Sequence, residues 1–367
     1  MVQRAAGRTR RPALTRPDRG GTGRWLLTGA TIVLAAVVAL QALREADLSP
    51  LGFADWRPVL YAFIAWSVAL GAAQVLIRGE AGHRSLFVLP AVLFTICMVI
   101  FPTVFGLYIA FTNWNLSALA GRQFNGLDNL RTLAGDGYFW NALGNMGWYV
   151  LAVAGQYAVA FGLALLLNQP IRGRKLFRVV FLLPFMLSPV AVSWMIGKSL
   201  MEYRFGPAAT LARHLGWDSP AFFANPWVAR LSIMVLDAWV SIPFVMVLLL
   251  AGLQALPGEV LEAAEVDGVS GWQKFWQIIF PLMLPVSVTA VVLRIIFELK
   301  LADIVINVTG GGPGGATDTV SSFIFREYRD RSNVGYGTML AEFYFVIIIM
   351  FISLLLAGTS RWMRKVT

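Results

Sequence analysis

Long apolar runs decide which folds this chain can adopt. Several of them extend for about 18 residues or more, which is the length that a helix needs to cross the hydrocarbon core of a bilayer. Hydrophobic residues make up 57% of the 367 residues and charged residues only 14%, whereas a soluble domain carries about 25% charged residues. The alternating pattern of a membrane barrel is absent from the sequence, and only helices or closed barrels satisfy the backbone within lipid. The sequence therefore predicts a polytopic, all-α membrane protein.

The apolar runs predict eight transmembrane helices. Arginine and lysine cluster before the first span, between the fourth and the fifth, and after the last. An even number of spans puts all three clusters on one side, and such clusters mark the cytoplasmic side. We therefore expect both termini to be cytoplasmic. The predicted spans cover approximately residues 25–43, 58–77, 86–111, 146–168, 177–201, 229–253, 282–302 and 337–357.

The two basic ends of the chain are predicted to be cytoplasmic tails. Residues 1–24 contain seven arginines together with glycine and proline, and we expect them to be disordered. Residues 361–367 form the second tail. The alternative that residues 1–41 are a cleaved signal peptide is favoured by the basic start and short apolar run, but residues 41–44 make a poor cleavage site. Cleavage would leave the orientation of the remaining spans unchanged.

The sequence lacks the patterns of metal, disulfide and nucleotide chemistry. Cys97 is the single cysteine, and the histidines His83 and His214 are far apart. The triplet GKS at 197–199 resembles the end of a phosphate-binding loop, but Val192 stands where that loop needs a glycine. The N-terminal arginines suit an anionic membrane surface better than nucleic acid. We expect no metal, no cofactor, no catalytic residue and no nucleic-acid partner.

Two segments on the predicted outer side carry weaker signals. Residues 124–145 mix aromatic and polar residues, which predicts either an anchor in the outer interface or a contact with a partner. The glycine-rich run at 310–315 is predicted to be a flexible outer loop. It is not interpreted as a phosphate cradle, because ATP is absent on that side.

A charged segment interrupts the apolar runs between spans six and seven. Residues 261–281 read LEAAEVDGVSGWQKFWQIIFP. Pro257 and Glu259 suit the start of a helix, and Gly268 permits a sharp turn. Positions 272, 275, 276 and 279 form one apolar stripe at helical spacing, and Pro281 is expected to end the unit. The pattern predicts two short helices joined by a glycine turn.

The small and acidic residues of this segment predict a surface that docks another protein. Ala263 and Ala264 let a partner's groove approach the backbone closely. Glu262 and Asp267 offer carboxylates to the partner's hydrogen-bond donors. Composition alone leaves an ordinary amphipathic loop as the alternative.

The same residues resemble the EAA loop of permease subunits in binding-protein-dependent ABC importers. The pattern of that loop is E-A-A, three residues, Gly, nine residues, Ile, any residue, Leu and Pro. This chain matches it from Glu262 to Pro281, except that Phe280 replaces the leucine. The resemblance implies that one set of residues couples the chain to a separate ATPase: Glu262, Ala263, Ala264, Asp267 and Gly268.

Further segments resemble the carbohydrate permeases within that family. IVINVTGGGPGG at 304–315, VGYGTMLAE at 334–342 and FNGLDNL at 124–130 are similar to segments of permeases related to the maltose and glycerol-3-phosphate importers, in particular their maltose-F-like subunit. The resemblance assigns residues 86–360 to a six-helix permease domain with its EAA loop at 257–281. It leaves residues 25–85 as two extra N-terminal helices. Unlike the maltose subunit, this chain has no large outer domain between spans three and four.

The resemblance implies an importer that is built from several chains. We expect a permease of the cytoplasmic (inner) membrane of a prokaryote that moves a sugar, an oligosaccharide or a related polyol. The chain itself is expected not to be an enzyme. The alternatives are a permease for glycerol-3-phosphate or another non-sugar solute and, outside transport, a membrane-embedded enzyme. The implied partners are a second, homologous permease subunit, an ATPase dimer on the cytoplasmic side, an extracytoplasmic substrate-binding protein, membrane lipid and the carbohydrate substrate.

Charged residues within spans six and seven are the candidates for the substrate path. A charge at the centre of a membrane helix costs about 2.5–3.5 kcal/mol on insertion scales, so it indicates function or pairing. Arg294 and Glu298 are four residues apart and could neutralise each other, which is the structural alternative. Gln156 and Trp239 are interpreted as packing residues. With the positions that the maltose-F-like resemblance supports, the predicted pathway residues are Asp237, Ser241, Phe244, Arg294, Phe297 and Glu298.

Overall fold

The protein is all-helical over the residues that its structure describes. The computed structural model describes residues 19–45, 49–119 and 121–366, with side chains from 20 to 361. Within this part, seven helices are long and apolar enough to cross a membrane, and a bent pair of helices that meets the same test together is counted as an eighth span. The predicted fold class is confirmed. The spans, in chain order, are Arg19–Glu45, Arg57–Arg78, Glu80–Ala110, Gly137–Asn168, the bent pair Arg174–Met186 and Pro189–Leu200, Pro226–Gln254, Gly271–Glu298 and Val334–Val366.

Both end spans extend beyond their apolar runs. Span one begins at Arg19, so residues 19–24 are helical rather than part of a disordered tail, while residues 1–18 lie outside the described residues. Span eight continues to Val366, into the segment predicted as the C-terminal tail. Extending an existing helix by one residue is much easier than starting one, so polar residues next to a span join it.

Capping residues set the starts of spans four and six. Asp136 accepts hydrogen bonds from the amides of Tyr138 and Phe139, with its Oδ1 at 2.9 and 3.3 Å from the two nitrogens. Asn225 accepts from the first amides of span six in the same way. These caps satisfy donors that have no partner within the helix. Span four therefore begins at Gly137, nine residues before the apolar run predicts.

Span five is broken, and the prediction of one straight span over 177–201 is wrong. Arg174–Met186 and Pro189–Leu200 meet at an angle of 93°. Pro189 disfavours helical backbone at the residue before it, and Ser188 is extended and caps the second helix by accepting from the amide of Ala191 at 3.1 Å. The first helix has 13 residues and is about 20 Å long, less than the hydrocarbon core of about 30 Å.

The charged segment before span seven has the predicted glycine turn but a different end. The short helix Gly258–Val266 is followed by Gly268, whose φ of +70° lies in the left-handed region that glycine favours. Pro281 does not end the second helix, because Gly271–Glu298 is one continuous span. A π-helical turn, Phe275–Ile279, ends two residues before Pro281. Such a wider turn accommodates a proline that would otherwise clash with the preceding turn.

The chain divides into two compact units. The first comprises residues 1–104 and the second residues 105–367. In the first unit, span two packs with span one and with the first part of span three. The boundary between the units falls within span three, and the assignment of this span to the permease domain stays a prediction. In the second unit, a core of fully buried side chains surrounds spans four and six. Its members include Phe139, Tyr149, Ile233, Phe323 and Leu340.

The C-terminal end of the glycine-rich run at 310–315, predicted as a flexible loop, is held by hydrogen bonds to two spans. Asn145 donates to the carbonyl oxygens of Gly315 and Asp318, both at 2.9 Å. Tyr149 donates to the carbonyl oxygen of Thr317 at 2.9 Å, and Arg230 Nε donates to that of Ala316 at 3.0 Å. Side chains from spans four and six thus hold the loop by its backbone carbonyls.

Replacing Asn145 by alanine tests this attachment. The side chain is buried and also accepts a hydrogen bond from Arg230, so its loss leaves several buried groups without partners. We expect a destabilisation of about 1–3 kcal/mol, measured as a lower melting midpoint of the detergent-purified protein. Asn141→Ala is the control, because the exposed Asn141 makes one bond to the same loop. Equal midpoints for the two variants would contradict the attachment.

Candidate coupling surface and transport site

The predicted coupling residues surround one tight turn. Asp267 ends the helix Gly258–Val266, where its amide donates to the carbonyl oxygen of Ala263 at 3.0 Å. Gly268 follows, and a Cβ added there would have no heavy atom within 4 Å. A side chain at this position would therefore strain the backbone without colliding with a neighbour. The turn depends on glycine for its conformation alone.

The exposure of the coupling residues divides them into two groups. Glu262, Ala263 and Asp267 are exposed, whereas Ala264 is only 4% exposed. Ala264 is therefore small because its own chain packs against it, and only Ala263 leaves room for another protein. The exposed side chain of Val266, 87% accessible, adds an apolar contact that the sequence pattern did not single out.

An ion pair joins the two helices of the coupling segment across the turn. Lys274 Nζ lies 2.6 Å from Glu265 Oε1, and the hydrogen bond and charge of Lys274 lower the pKa of Glu265. Ser270 and Gln273 form a capping box at the start of the second helix. These contacts fix the angle at which the second helix leaves the turn.

The predicted apolar stripe of the second helix is split between two environments. Phe275 packs against Phe161 of span four, with ring centroids 5.5 Å apart, so it anchors the helix to the bundle. Trp272 and Trp276 are exposed and contact each other edge to face. The π-helical turn changes the angular spacing of residues 275–279, so a stripe counted at 3.6 residues per turn does not hold there.

The charged residues of spans six and seven form one buried network. Arg294 makes ion pairs with both Asp237 and Glu298. All three side chains are buried, being at most 8% exposed. Ser241 also belongs to the network, because its hydroxyl donates to Asp237 Oδ1 at 3.3 Å. The predicted pairing of Arg294 with Glu298 exists, and Asp237 joins it from the neighbouring helix.

Gln156, which is interpreted as a packing residue, connects this network to span four through hydrogen bonds. Its amide nitrogen donates to Asp237 Oδ2 at 2.9 Å, and its oxygen accepts from Arg294 Nε at 2.8 Å. The network therefore joins spans four, six and seven. Trp239, the other residue predicted to pack, has a side chain that is 39% exposed.

Three phenylalanine rings form a row beside the network. Phe244 stacks on Phe185 with centroids 5.5 Å apart and contacts Phe297 edge to face at the same distance. Phe185 and Phe297 are about half exposed, at 47% and 51%. The predicted pathway residues Phe244 and Phe297 are thus brought together. Phe185 joins them from span five.

The row lies at the break in span five. Phe185 is two residues before Leu187, where the helix stops and the backbone becomes extended. Non-helical backbone at membrane depth is tolerated where it is covered by protein or lines a water-filled cavity, and broken spans mark substrate sites in many transporters. Sequence reasoning missed Phe185. The available signal was the pair of prolines, Pro184 and Pro189, within an apolar run.

A comparison with known families identifies the chain. Residues 156–365, more than half of its length, match the model of the family described as binding-protein-dependent transport system inner membrane component. The chain belongs to this family. It is therefore a multi-pass permease of the inner-membrane type, and the predicted membership is confirmed.

Curated relatives match along most of the chain. It is 31% identical to the trehalose/maltose transport system permease protein MalF of Thermococcus litoralis, over 74% of this chain and 92% of that protein. It is 30% identical to the sulfoquinovosyl glycerol transport system permease protein SmoG of Agrobacterium fabrum, over 73% and 88%. The matched part therefore corresponds to nearly the whole of each permease.

Solved structures share the fold. A chain of a bacterial ABC transporter involved in the import of the acidic polysaccharide alginate superposes with a TM-score of 0.65 at 21% identity. The match covers 76% of this chain and 94% of that one. At this identity the likeness concerns the architecture of the helices.

Removing Arg294 tests whether the buried network supports the fold. Arg294→Gln leaves two buried carboxylates without their cation, which typically costs about 3–5 kcal/mol. We expect a lower yield of monodisperse protein and a lower melting midpoint in detergent. The triple variant Asp237→Asn, Arg294→Gln and Glu298→Gln removes all three charges and should recover much of that loss.

Arg131→Gln is the control for this series, because Arg131 and Asp128 form an exposed pair that contributes little. A wild-type midpoint for Arg294→Gln would refute the structural role of the network. So would a triple variant that is no more stable than the single one.

Proposed function

We propose that this chain is the permease subunit of an ABC importer for a carbohydrate and that the sugar passes the break in span five. The observation that most supports this proposal is the phenylalanine row at that break, where half-exposed rings lie beside a buried polar network. Aromatic faces suit the C–H surfaces of sugar rings, and pockets combine such faces with a few placed polar groups. Relatives of the chain are named as permeases for trehalose and maltose and for starch degradation products.

The predicted pathway residues take two roles in this proposal. Phe244 and Phe297, with Phe185, form the wall that the sugar contacts, and Ser241 places a hydroxyl near it. Asp237, Arg294 and Glu298 stand behind this wall and keep spans six and seven in register through their ion pairs. Asp237 also accepts the hydrogen bond of Ser241 and so sets the orientation of that hydroxyl.

The ion pairs of Arg294 argue against the alternative that the substrate is a phosphorylated solute. A phosphate group requires an available cation, and Arg294 is the cation among the predicted pathway residues. Two carboxylates and Gln156 already occupy its guanidinium. A neutral polyhydroxyl solute does not need that charge, so a carbohydrate fits the arrangement better than glycerol-3-phosphate.

Coupling to a partner ATPase follows from the continuity of span seven. The second helix of the coupling segment and the transmembrane span are one helix, Gly271–Glu298. We propose that an ATPase dimer binds the exposed residues Glu262, Ala263 and Asp267 and moves this helix when it hydrolyses ATP. Phe297 lies near the other end of the same helix. Displacement at the coupling turn would therefore reach the phenylalanine row directly.

The remaining partners and the orientation complete the proposal. A second, homologous permease would cover the exposed apolar faces, and an extracytoplasmic binding protein would deliver the substrate. A solved relative is described in complex with an alginate pentasaccharide-bound periplasmic protein. Both termini and the coupling segment would face the cytoplasm of a prokaryote. Residues 86–360 would act as the permease domain and residues 25–85 as an addition to it.

The coupling proposal is tested at the glycine turn. Gly268→Val puts a β-branched residue at a φ of +70°, a conformation that costs such residues about 1–2 kcal/mol. Glu262→Lys reverses the charge on the docking surface. We expect both variants to reach the membrane but to lose sugar uptake and ATPase co-purification.

Gly216→Val is a matched control, since Gly216 also has a positive φ and open space around its missing Cβ, but lies in another loop. Normal uptake and ATPase retention in Gly268→Val and Glu262→Lys would refute the coupling role. The same results would remove the argument that the coupling segment faces the cytoplasm.

The substrate proposal is tested at the exposed ring of the row. Phe297→Ala removes one sugar-contacting face, worth about two- to tenfold in affinity. We expect a higher KM for uptake of the cognate sugar, while the loaded binding protein still stimulates ATP hydrolysis. Phe345→Ala is the control, because Phe345 is similarly exposed, at 47%, on span eight. Identical KM values for the two variants would exclude the row from the path.

A further inference from the structure

Three arginines lie at one end of the first unit, each on a different helix. Arg24 is near the start of span one, Arg78 is the last residue of span two, and Arg84 is in the first turns of span three. All three side chains are exposed. They are not among the residues used by the proposed transport mechanism.

Close helix contacts bring these arginines to the same place. A Cβ added to Gly23 would lie 2.8 Å from Ile77, so span one touches span two one residue before Arg78. A Cβ added to Gly82 would lie 2.0 Å from the carbonyl oxygen of Gln74, so the start of span three touches the same turn. The three guanidinium groups therefore project from adjoining helix ends.

The described side chains at this helix end carry an excess of positive charge. Among the residues that the structure describes, none forms an ion pair with Arg24, Arg78 or Arg84. Glu80, the exposed first residue of span three, is the acidic side chain described at this end. Three positive charges against one negative charge leave a net charge of about +2 at this end.

Exposed aromatic side chains flank the arginines on the side of the apolar spans. Trp25, next to Arg24, is 80% exposed, and Phe87, three residues after Arg84, is 89% exposed. Tryptophan concentrates at the level of the lipid headgroups. The arrangement of basic groups above exposed aromatic and apolar side chains matches the order of phosphate above acyl chain in a phospholipid.

We propose that Arg24, Arg78 and Arg84 form a binding site for the phosphate of an anionic phospholipid. Arginine binds phosphate oxygens through paired N–H donors, and basic groups at the ends of membrane helices bind anionic headgroups. The aromatic and apolar flank favours a lipid over free phosphate, because the acyl chains can lie against Trp25 and Phe87. The proposal goes beyond transport and depends on the geometry of the first unit alone.

Lipid retention by the full chain tests this site. The purified protein is exchanged into an equimolar mixture of phosphatidylglycerol and phosphatidylcholine, and the retained lipids are counted by mass spectrometry. Each arginine near an anionic surface contributes about fivefold. We expect clear enrichment of phosphatidylglycerol on the wild type and little or none on the variant Arg24→Gln, Arg78→Gln, Arg84→Gln. No enrichment on the wild type, or equal enrichment on the variant, would overturn the proposal.

Two further variants separate charge from folding. Arg57→Gln with Arg131→Gln removes two exposed arginines that lie elsewhere and should retain the full enrichment. If the triple variant fails to fold, Arg78→Gln alone should lower the enrichment about fivefold, and unchanged enrichment there would refute the site.

Inorganic phosphate distinguishes the two sources of the ligand. Millimolar phosphate should not displace the bound phosphatidylglycerol, because it lacks acyl chains to contact the apolar flank. Full displacement would overturn the lipid proposal, because a free anion would then be sufficient to occupy the arginines. Sugar uptake plays no part in these measurements, so their outcome is independent of the proposed transport function.

Discussion

The need to satisfy backbone polar groups inside hydrocarbon governs this structure. Within lipid no water is available for an unpaired amide or carbonyl, so helices run to capped ends and any interruption must be covered by protein or face water. Asp136 and Asn225 cap spans whose apolar runs begin later. The one bent span stops in the middle of its predicted course, beside the phenylalanine row. The proposed site lies where this rule of continuous helices is broken.

The apolar runs were sufficient to predict the number of spans and their order. Burial in lipid requires about 20 apolar residues, and this signal is strong for every straight span. The ends of the helices were less predictable, because caps such as Asp136 are single polar residues outside the run. The break in span five was also missed. Its prolines were visible, but a proline inside an apolar run is compatible with a kinked span as well as with a broken one.

In the candidate site too, features that depend on neighbouring residues were predictable, whereas those that depend on residues distant in sequence were not. The glycine turn at Gly268 was predictable because neighbouring residues determine it. The role of Gln156 was not, because its partners Asp237 and Arg294 are 81 and 138 residues away in sequence. Ala264 was assigned to a partner's groove although its own chain buries it. Spacing cannot tell whether a small residue faces a neighbour in the same chain or in another one.

The π-helical turn Phe275–Ile279 has a consequence for how span seven aligns its two ends. Such a turn usually contains one residue more than an α-helical turn, and one residue corresponds to roughly 100° of rotation about the helix axis. The face that Trp272 presents is therefore out of phase with the face that carries Phe297, by about a quarter of a circle or more. Because a rigid helix moves as one body, a displacement at the coupling turn would reach the phenylalanine row through a face that points in a different direction. The proposed partner surface and the proposed sugar path therefore use differently oriented faces of one helix.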